Sequence, residues 1–287
     1  MKNINVIGAC CDLGVHVDGA KNGPIEIEKN IKNINIKNVF PKETTKSKAK
    51  NDLKKNIDEI YIYNKELYNT VLNTLENNNF PLTIGGDHSI AVASALASIK
   101  KHENIGIIWF DAHGDYNTLK TTTTGNIHGL PFAVLTNFDK DFLTEYHNGN
   151  FYNYNNAVLV GARDIDYPYE YDNLKKAGVT IFTTTDIEKY GTDYIYNKAF
   201  EIASNNTNGI HISYDLDVID PTLAPGVSVP VKQGLNLQQA YAFVDKMIEN
   251  KKIIKSIDLV EYNPNFDKEN KTLNIATEIV NKIIDNY

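Results

Sequence analysis

The amino-acid sequence predicts an α/β fold of three layers, in which helices cover both faces of a mostly parallel, doubly wound sheet. Apolar runs typical of buried strands alternate along the chain with longer stretches of helical periodicity. The run Ile105–Phe110 is apolar on both faces, which is expected of a parallel strand covered by helices on each side. At 287 residues, with no internal repeat or composition boundary, the chain is expected to form a single domain over residues 1–287.

The predicted elements follow one another in strand–helix order. The strands are expected at Ile4–Gly8, Pro81–Gly85, Ile105–Asp111, Ala157–Gly161, Val179–Phe182, Gly209–Asp215 and Ile253–Val260. The helices are expected at Ala49–Glu76, Ser89–Lys100, Tyr169–Ala177, Asp193–Ala203, Leu237–Glu249 and Thr272–Asp285. The lysine-rich stretch Lys42–Lys55 is interpreted as a solvated loop that leads into the first of these helices.

The composition excludes several classes of protein. Hydrophobic residues at 42% and charged residues at 23% are ordinary for a soluble globular protein, and no apolar stretch is long enough to cross a membrane. A net charge of −7 argues against nucleic acid as a partner. Because the chain opens without a secretory pattern and Cys10 and Cys11 read as reduced thiols, we expect a cytoplasmic protein.

Acidic and imidazole side chains are concentrated in three short blocks, each directly after a predicted strand. The blocks are Gly85–Ser89, Asp111–Asp115 and Asp215–Asp217. Because side chains two apart on a strand point to the same face, Asp111 pairs with His113 and Asp215 with Asp217. Such a ligand set suits two divalent cations, although a lone histidine after a strand, as His88 is, is more often a satisfied core or surface group than a ligand.

Five motifs in this order resemble the arginase–agmatinase (ureohydrolase) family. They are Gly85–Ser89, Asp111–Asp115, Gly125–Gly129, Ser213–Pro221 and Val260–Pro264. The resemblance spans residues 4 to 285 and implies an arginase-like fold. It also implies a hydrolase in which a metal-bridging hydroxide attacks a guanidinium carbon and releases urea.

The resemblance further implies a binuclear manganese centre. One ion would take His88, Asp111, Asp115 and Asp215, and the other Asp111, His113, Asp215 and Asp217, so that Asp111 and Asp215 bridge. Cobalt, nickel or iron would also suit these ligands. Asp115 would count among the catalytic residues, His128 would transfer a proton to the leaving amine, and Glu261 would hold the guanidinium group.

The same resemblance favours L-arginine as substrate. Asn117, Thr122, Thr124 and Asn126 occupy the loop that reads an α-carboxylate, and Asp166 the segment that meets the α-ammonium group. Glu170 would join Asp166 if one residue is inserted at 167–169. The loop Leu13–Pro24 departs from the family pattern and could alter the rim of the cleft.

Several alternatives stay open at the level of sequence. Another ureohydrolase would act on agmatine, guanidinobutyrate or formiminoglutamate, and a non-catalytic arginine-binding protein would keep the same residues. A two-metal phosphoesterase is disfavoured, because no basic or glycine-rich phosphate cradle is evident. The family also implies a homo-oligomer, a trimer or a hexamer.

Overall fold

The computed structural model describes residues 3–31, 34–42, 56–139 and 149–287. Within these ranges eight strands form one parallel sheet in the order β2-β1-β3-β8-β7-β4-β5-β6. The strands are β1 (Ile4–Ala9), β2 (Ile36–Val39), β3 (Phe80–Gly85), β4 (Gly106–Phe110), β5 (Ala157–Ala162), β6 (Thr180–Thr183), β7 (Ile210–Asp215) and β8 (Ile254–Val260).

Helices cover both faces of this sheet, which confirms the predicted three-layer α/β fold. They are α1 (Gly23–Glu28), α2 (Ile57–Glu76), α3 (Ala91–His102), α4 (Pro131–Leu135), α5 (Tyr169–Ala177), α6 (Thr184–Tyr190), α7 (Thr192–Ser204), α8 (Leu237–Glu249) and α9 (Lys271–Asn286). Buried residues of α2 to α5 pack on one face and those of α1 and α6 to α9 on the other. None of the helices in the described ranges is long and apolar enough to cross a membrane.

The central strands supply both hydrophobic cores because their side chains alternate between the two faces. On β4, Ile107 and Trp109 join the core under α3, while Ile108 and Phe110 join the core under α8. All five residues of β4 are buried, as the run of apolar residues predicts for a strand covered on both sides.

Four short elements were not predicted. Strand β2 buries only the two end residues of its four, and α1, α4 and α6 have six, five and seven residues, too few for a clear period. The predicted helix Ala49–Glu76 is wrong at Asn56, because that residue is left-handed, with φ of 56°, and α2 begins after it. Positions 43–55, including most of the predicted lysine-rich loop, lie outside the described residues.

The fold brings the motif-bearing strands together. The strands β3, β8, β7 and β4 are consecutive neighbours in the sheet, although they are far apart in the sequence. Because all strands are parallel, the residues that follow them emerge at one edge, where ligands bind in open α/β sheets. The loops after β1 and β5 emerge at the same edge.

A buried polar network ties β7 and β8 to α3 beneath that edge. Asp258 Oδ2 accepts hydrogen bonds from Ser94 Oγ at 2.5 Å and from His211 Nε2 at 3.1 Å. His211 Nδ1 lies 2.6 Å from Ser256 Oγ, which in turn donates to Ser98 Oγ at 2.7 Å. All five side chains are buried, so the loss of one leaves another unsatisfied away from water.

We therefore expect Asp258→Ala to lower the free energy of unfolding by about 3 kcal/mol, because Ser94 and His211 lose their acceptor. Asp245→Ala is the control, because Asp245 contacts Lys282 in an exposed ion pair, and it should cost less than about 0.5 kcal/mol. Equilibrium denaturation monitored by circular dichroism measures both. Equal losses for the two variants would contradict the structural role of the network.

Candidate metal centre and substrate cavity

His88 is fixed by the tight turn that follows β3. A Cβ at Gly86 would lie 1.7 Å from the carbonyl oxygen of Cys11, so only glycine lets the chain pass. Asp87 then caps the next turn, accepting from the backbone N–H of Ser89 at 2.9 Å and of Gly14 at 2.8 Å. The imidazole of His88 is thereby directed into the space between the central strands.

The ring of His88 faces three carboxylates at once. Its Nδ1 lies 3.0 Å from Asp111 Oδ2 and 3.1 Å from Oδ2 of both Asp115 and Asp215. Its Nε2 lies 2.9 Å from Ser213 Oγ, which can accept the ring proton there. One nitrogen cannot donate to three oxygens, whereas a cation between them would contact all of them, with Nδ1 as a ligand.

A second group of ligands surrounds His113. Its Nδ1 lies 2.9 Å from Asp217 Oδ2 and 3.3 Å from Asp111 Oδ1. Atoms of Asp111, His113 and Asp217 all lie within 4.8 Å of one another, as do those of His88, Asp111 and Asp215. Asp111 belongs to both groups, as a bridging ligand would.

Burial and mutual repulsion make this concentration of charge costly. Burial first, and neighbouring carboxylates second, raise the pKa of Asp215 well above its usual value and that of Asp115 to about 7. The same causes raise the pKa of Asp217. Bound cations would remove the repulsion, and the oxygen-rich donors with two imidazoles suit divalent ions. The residues present therefore fit the implied metal pair.

His128 and Glu261 form an ion pair beside the metal ligands. Glu261 follows β8, and its Oε1 accepts from the backbone N–H of His88 at 2.8 Å and lies 3.0 Å from His128 Nδ1. Burial alone would lower the pKa of His128, but Glu261 first, together with Asp115 and Asp87, outweighs burial and raises that pKa. In the described ranges the buried Oε2 of Glu261 has no hydrogen-bond partner, so it can accept a donor from a ligand.

A cavity of about 220 Å³ opens beside these groups. Its lining includes all five residues predicted to bind substrate, namely Asn117, Thr122, Thr124, Asn126 and Asp166. The metal-ligand candidates His113 and Asp115 and the histidine His128 line the same cavity. Glu261 is not among its lining residues, but its Oε1 lies 3.0 Å from Nδ1 of His128, which is one of them.

Hydroxyl and amide groups of the cavity loop are oriented by its own backbone. Thr122 Oγ1 accepts from the N–H of Gly125 at 3.1 Å, and Thr124 Oγ1 accepts from the N–H of Asn126 at 3.2 Å. Each hydroxyl oxygen is thereby an acceptor toward the backbone of the loop, and each hydroxyl also carries one O–H donor. Asn117 Nδ2 donates to Asp166 Oδ2 at 3.0 Å. This bond connects the loop predicted to bind the α-carboxylate with the segment predicted to bind the α-ammonium group.

Glu170 lines the cavity. Its expected place beside Asp166 depended on one inserted residue at 167–169. Its two carboxylate oxygens accept from the backbone N–H of Tyr116 at 2.8 Å and of Asp166 at 2.9 Å. Tyr167, in the turn just before α5, is 82% exposed. Gly114 makes room for the carboxylate, because a Cβ there would lie 2.7 Å from Glu170 Cδ.

Sequence reasoning missed four residues of the site. Trp109 donates from Nε1 to Asp111 Oδ2 at 3.0 Å and stacks on His88 with ring centroids 4.0 Å apart. Trp109 and Ser213 each lie two residues before a predicted ligand on the same strand, so the strand period could have identified them. His16 and Asp164 line the cavity from loops, and neither was singled out individually, although the loop of His16 was expected to alter the rim of the cleft.

Comparisons with known proteins point to one family. A family model described as the arginase family matches residues 2–285. The arginase of Staphylococcus aureus (strain COL) is 36% identical over 293 residues, which cover 97% of this chain and 96% of that protein. Among solved structures, the arginase of Bacillus caldovelox has a TM-score of 0.90 at 30% identity, and the alignment covers 99% of this chain and 98% of that chain.

The arginase of Entamoeba histolytica, solved in complex with L-ornithine, gives a TM-score of 0.89 at 27% identity. The alignment covers 99% of each chain. These similarities extend over the whole described sheet and its helices, so they are not confined to the motifs.

The shared position of Asp111 leads to a prediction about metal content. We expect Asp111→Ala to lower the affinity for Mn²⁺ at least about 100-fold, because both ligand groups lose a carboxylate. Equilibrium dialysis followed by elemental analysis measures this directly, without an activity assay. Asp193→Ala, an aspartate whose side chain is 78% exposed, is the control and should bind metal as the unaltered protein does. A fully metallated Asp111 variant would refute the shared role.

Proposed function

This chain belongs to the arginase family, and on that premise we propose that it hydrolyses L-arginine to L-ornithine and urea. The chain is a ureohydrolase, and the observation that carries the choice of substrate is the lining of one cavity. Hydroxyl and amide donors meet carboxylates there, beside the candidate metal ligands. Such a lining suits an amino acid with a free carboxylate, an ammonium group and a guanidinium tail.

We assign two divalent cations to the candidate centre, with manganese preferred because most ligand atoms are oxygens. The first ion would be held by His88, Asp111, Asp115 and Asp215, and the second by Asp111, His113, Asp215 and Asp217. When bound, such a pair lowers the pKa of a water molecule and supplies a nucleophile near neutral pH. The bridging role of Asp111 is supported by its membership of both ligand groups.

Glu261 and His128 orient the guanidinium group and supply a proton. The buried Oε2 of Glu261 is an acceptor that suits the planar, multi-donor guanidinium cation. The raised pKa of His128 keeps its imidazole protonated at higher pH than usual, so that it can act as an acid toward the leaving amine. Asp115 completes the catalytic set as a ligand whose side chain also lines the cavity.

The loop after β4 provides the choice of substrate tail. Asn117, Thr122, Thr124 and Asn126 offer neutral donors to the α-carboxylate, while Asp166 accepts from the α-ammonium group. Agmatine lacks the carboxylate and would leave these donors unpaired, so it should bind more weakly. Glu170 joins Asp166 in this role, supported by the hydrogen bond that links the two.

The family match and the single described sheet support one catalytic domain over residues 1–287. Trimeric or hexameric assembly and a cytoplasmic location stay predictions from the sequence.

The proposed reaction is tested by urea release from a panel of guanidino compounds, with metal analysis of the same sample. We expect L-arginine to give the highest kcat/KM, with much lower values for agmatine, guanidinobutyrate and formiminoglutamate. Removal of the metal by a chelator should abolish turnover, and Mn²⁺ should restore it. Greater turnover of agmatine than of L-arginine would overturn the proposal that the cavity loop selects a substrate with an α-carboxylate. Binding of L-arginine without urea release would overturn the proposal that the chain catalyses its hydrolysis.

His128→Asn is expected to lower kcat for L-arginine by about 10²- to 10⁴-fold, because the variant removes the proposed proton donor. KM should change little, since Glu261 and the cavity loop are unaltered. Steady-state kinetics at several pH values check this, with circular dichroism and metal content as controls for folding. An unchanged kcat would exclude His128 as the acid.

A further inference from the structure

His16 lies at the rim of the cavity, on the loop between β1 and α1. Its position bears on how the substrate is selected, on the premise that the proposed hydrolysis of an α-amino acid is correct. Four of the residues lining the cavity are acidic: Asp115, Asp164, Asp166 and Glu170. An entering carboxylate therefore meets repulsion from several carboxylates and needs donors at the rim to offset it.

The loop that carries His16 is anchored on both sides of it. Before it, Gly14 donates from N–H to Asp87 at 2.8 Å and accepts from the N–H of His128 at 3.1 Å. After it, the carbonyl oxygen of Asp18 accepts from Asn265 Nδ2 at 2.9 Å. A loop fixed two residues away on each side orders an exposed side chain at low entropic cost.

The imidazole of His16 is joined to the loop proposed to bind the carboxylate. Its Nδ1 lies 3.1 Å from Asn126 Nδ2, and an amide nitrogen can only donate. Nδ1 is then the acceptor, which leaves the ring proton on Nε2 and makes that nitrogen a donor. The backbone of Asn126 is itself held by Thr124 Oγ1 at 3.2 Å, so His16 extends the same row of donors.

We propose that His16 is a specificity-determining residue that donates a hydrogen bond to the α-carboxylate of the substrate and of the amino-acid product. It lines the cavity with Thr124 and Asn126, two of the residues proposed to meet the carboxylate, and its ring is joined to Asn126. Its loss should therefore weaken binding of compounds with that carboxylate and leave the chemical step intact. A decarboxylated analogue should be unaffected.

The test compares His16→Ala with His16→Gln and with the control Val17→Ala in the manganese-loaded protein. Val17 is the next residue of the same loop and does not line the cavity. Calorimetry measures the Kd of L-ornithine and of 1,4-diaminobutane, which lacks the carboxylate, and steady-state kinetics measure KM and kcat for L-arginine.

We expect His16→Ala to raise the Kd of L-ornithine and the KM of L-arginine about three- to tenfold, with kcat within about twofold. The Kd of 1,4-diaminobutane should not change, Val17→Ala should match the unaltered protein, and His16→Gln should recover affinity through its N–H donor. Unchanged affinity for L-ornithine in His16→Ala, or equal weakening of both ligands, would overturn the role of His16. Unaltered protein that binds L-ornithine without releasing urea from L-arginine would overturn the proposed function but not this role, and absence of binding would overturn both.

Discussion

The burial of four carboxylates at one edge of the sheet is the constraint on which the rest of this protein depends. They belong to Asp111, Asp115, Asp215 and Asp217. Burial and mutual repulsion raise the pKa of three of them, so the folded chain has to provide compensating positive charge or donors. Imidazoles and backbone N–H groups provide part of it. In our proposal cations provide the remainder, which makes metal binding a requirement for a stable site as well as for catalysis.

The fold meets this constraint through strand order and through local backbone strain. Because β3, β8, β7 and β4 are neighbours, short segments after each strand reach a common point without long loops. Two residues at that point, Asp115 and Glu261, adopt left-handed backbone with φ of 48° and 67°. Non-glycine residues rarely adopt this conformation, and its cost is compensated by the contacts that the two carboxylates make.

The sheet and the metal-ligand candidates could be predicted because both depend on short-range patterns. The apolar runs identify the strands, and the ligand candidates follow directly after them. The expected strand pairing of Asp111 with His113 is wrong, because β4 ends at Phe110 and both residues lie in the bend after it. The strand period would have identified Trp109 and Ser213, whose hydrogen bonds and stacking orient the ligands. His16 and Glu170 are different, because the loop of His16 and the first turn of α5, which carries Glu170, approach the cavity only through tertiary packing. Residues within one loop do not encode that distance.

Gly114 and Glu170 illustrate how such packing restricts change in the sequence. The glutamate carboxylate occupies the volume that any side chain at position 114 would need. A larger residue at 114 is thus compatible only with a shorter or displaced one at 170, and the two positions should vary together among related chains. For protein engineering, a change at position 114 alone displaces the Glu170 carboxylate from the backbone N–H groups of Tyr116 and Asp166, whereas paired changes open a route to a wider cavity beside the proposed ammonium site.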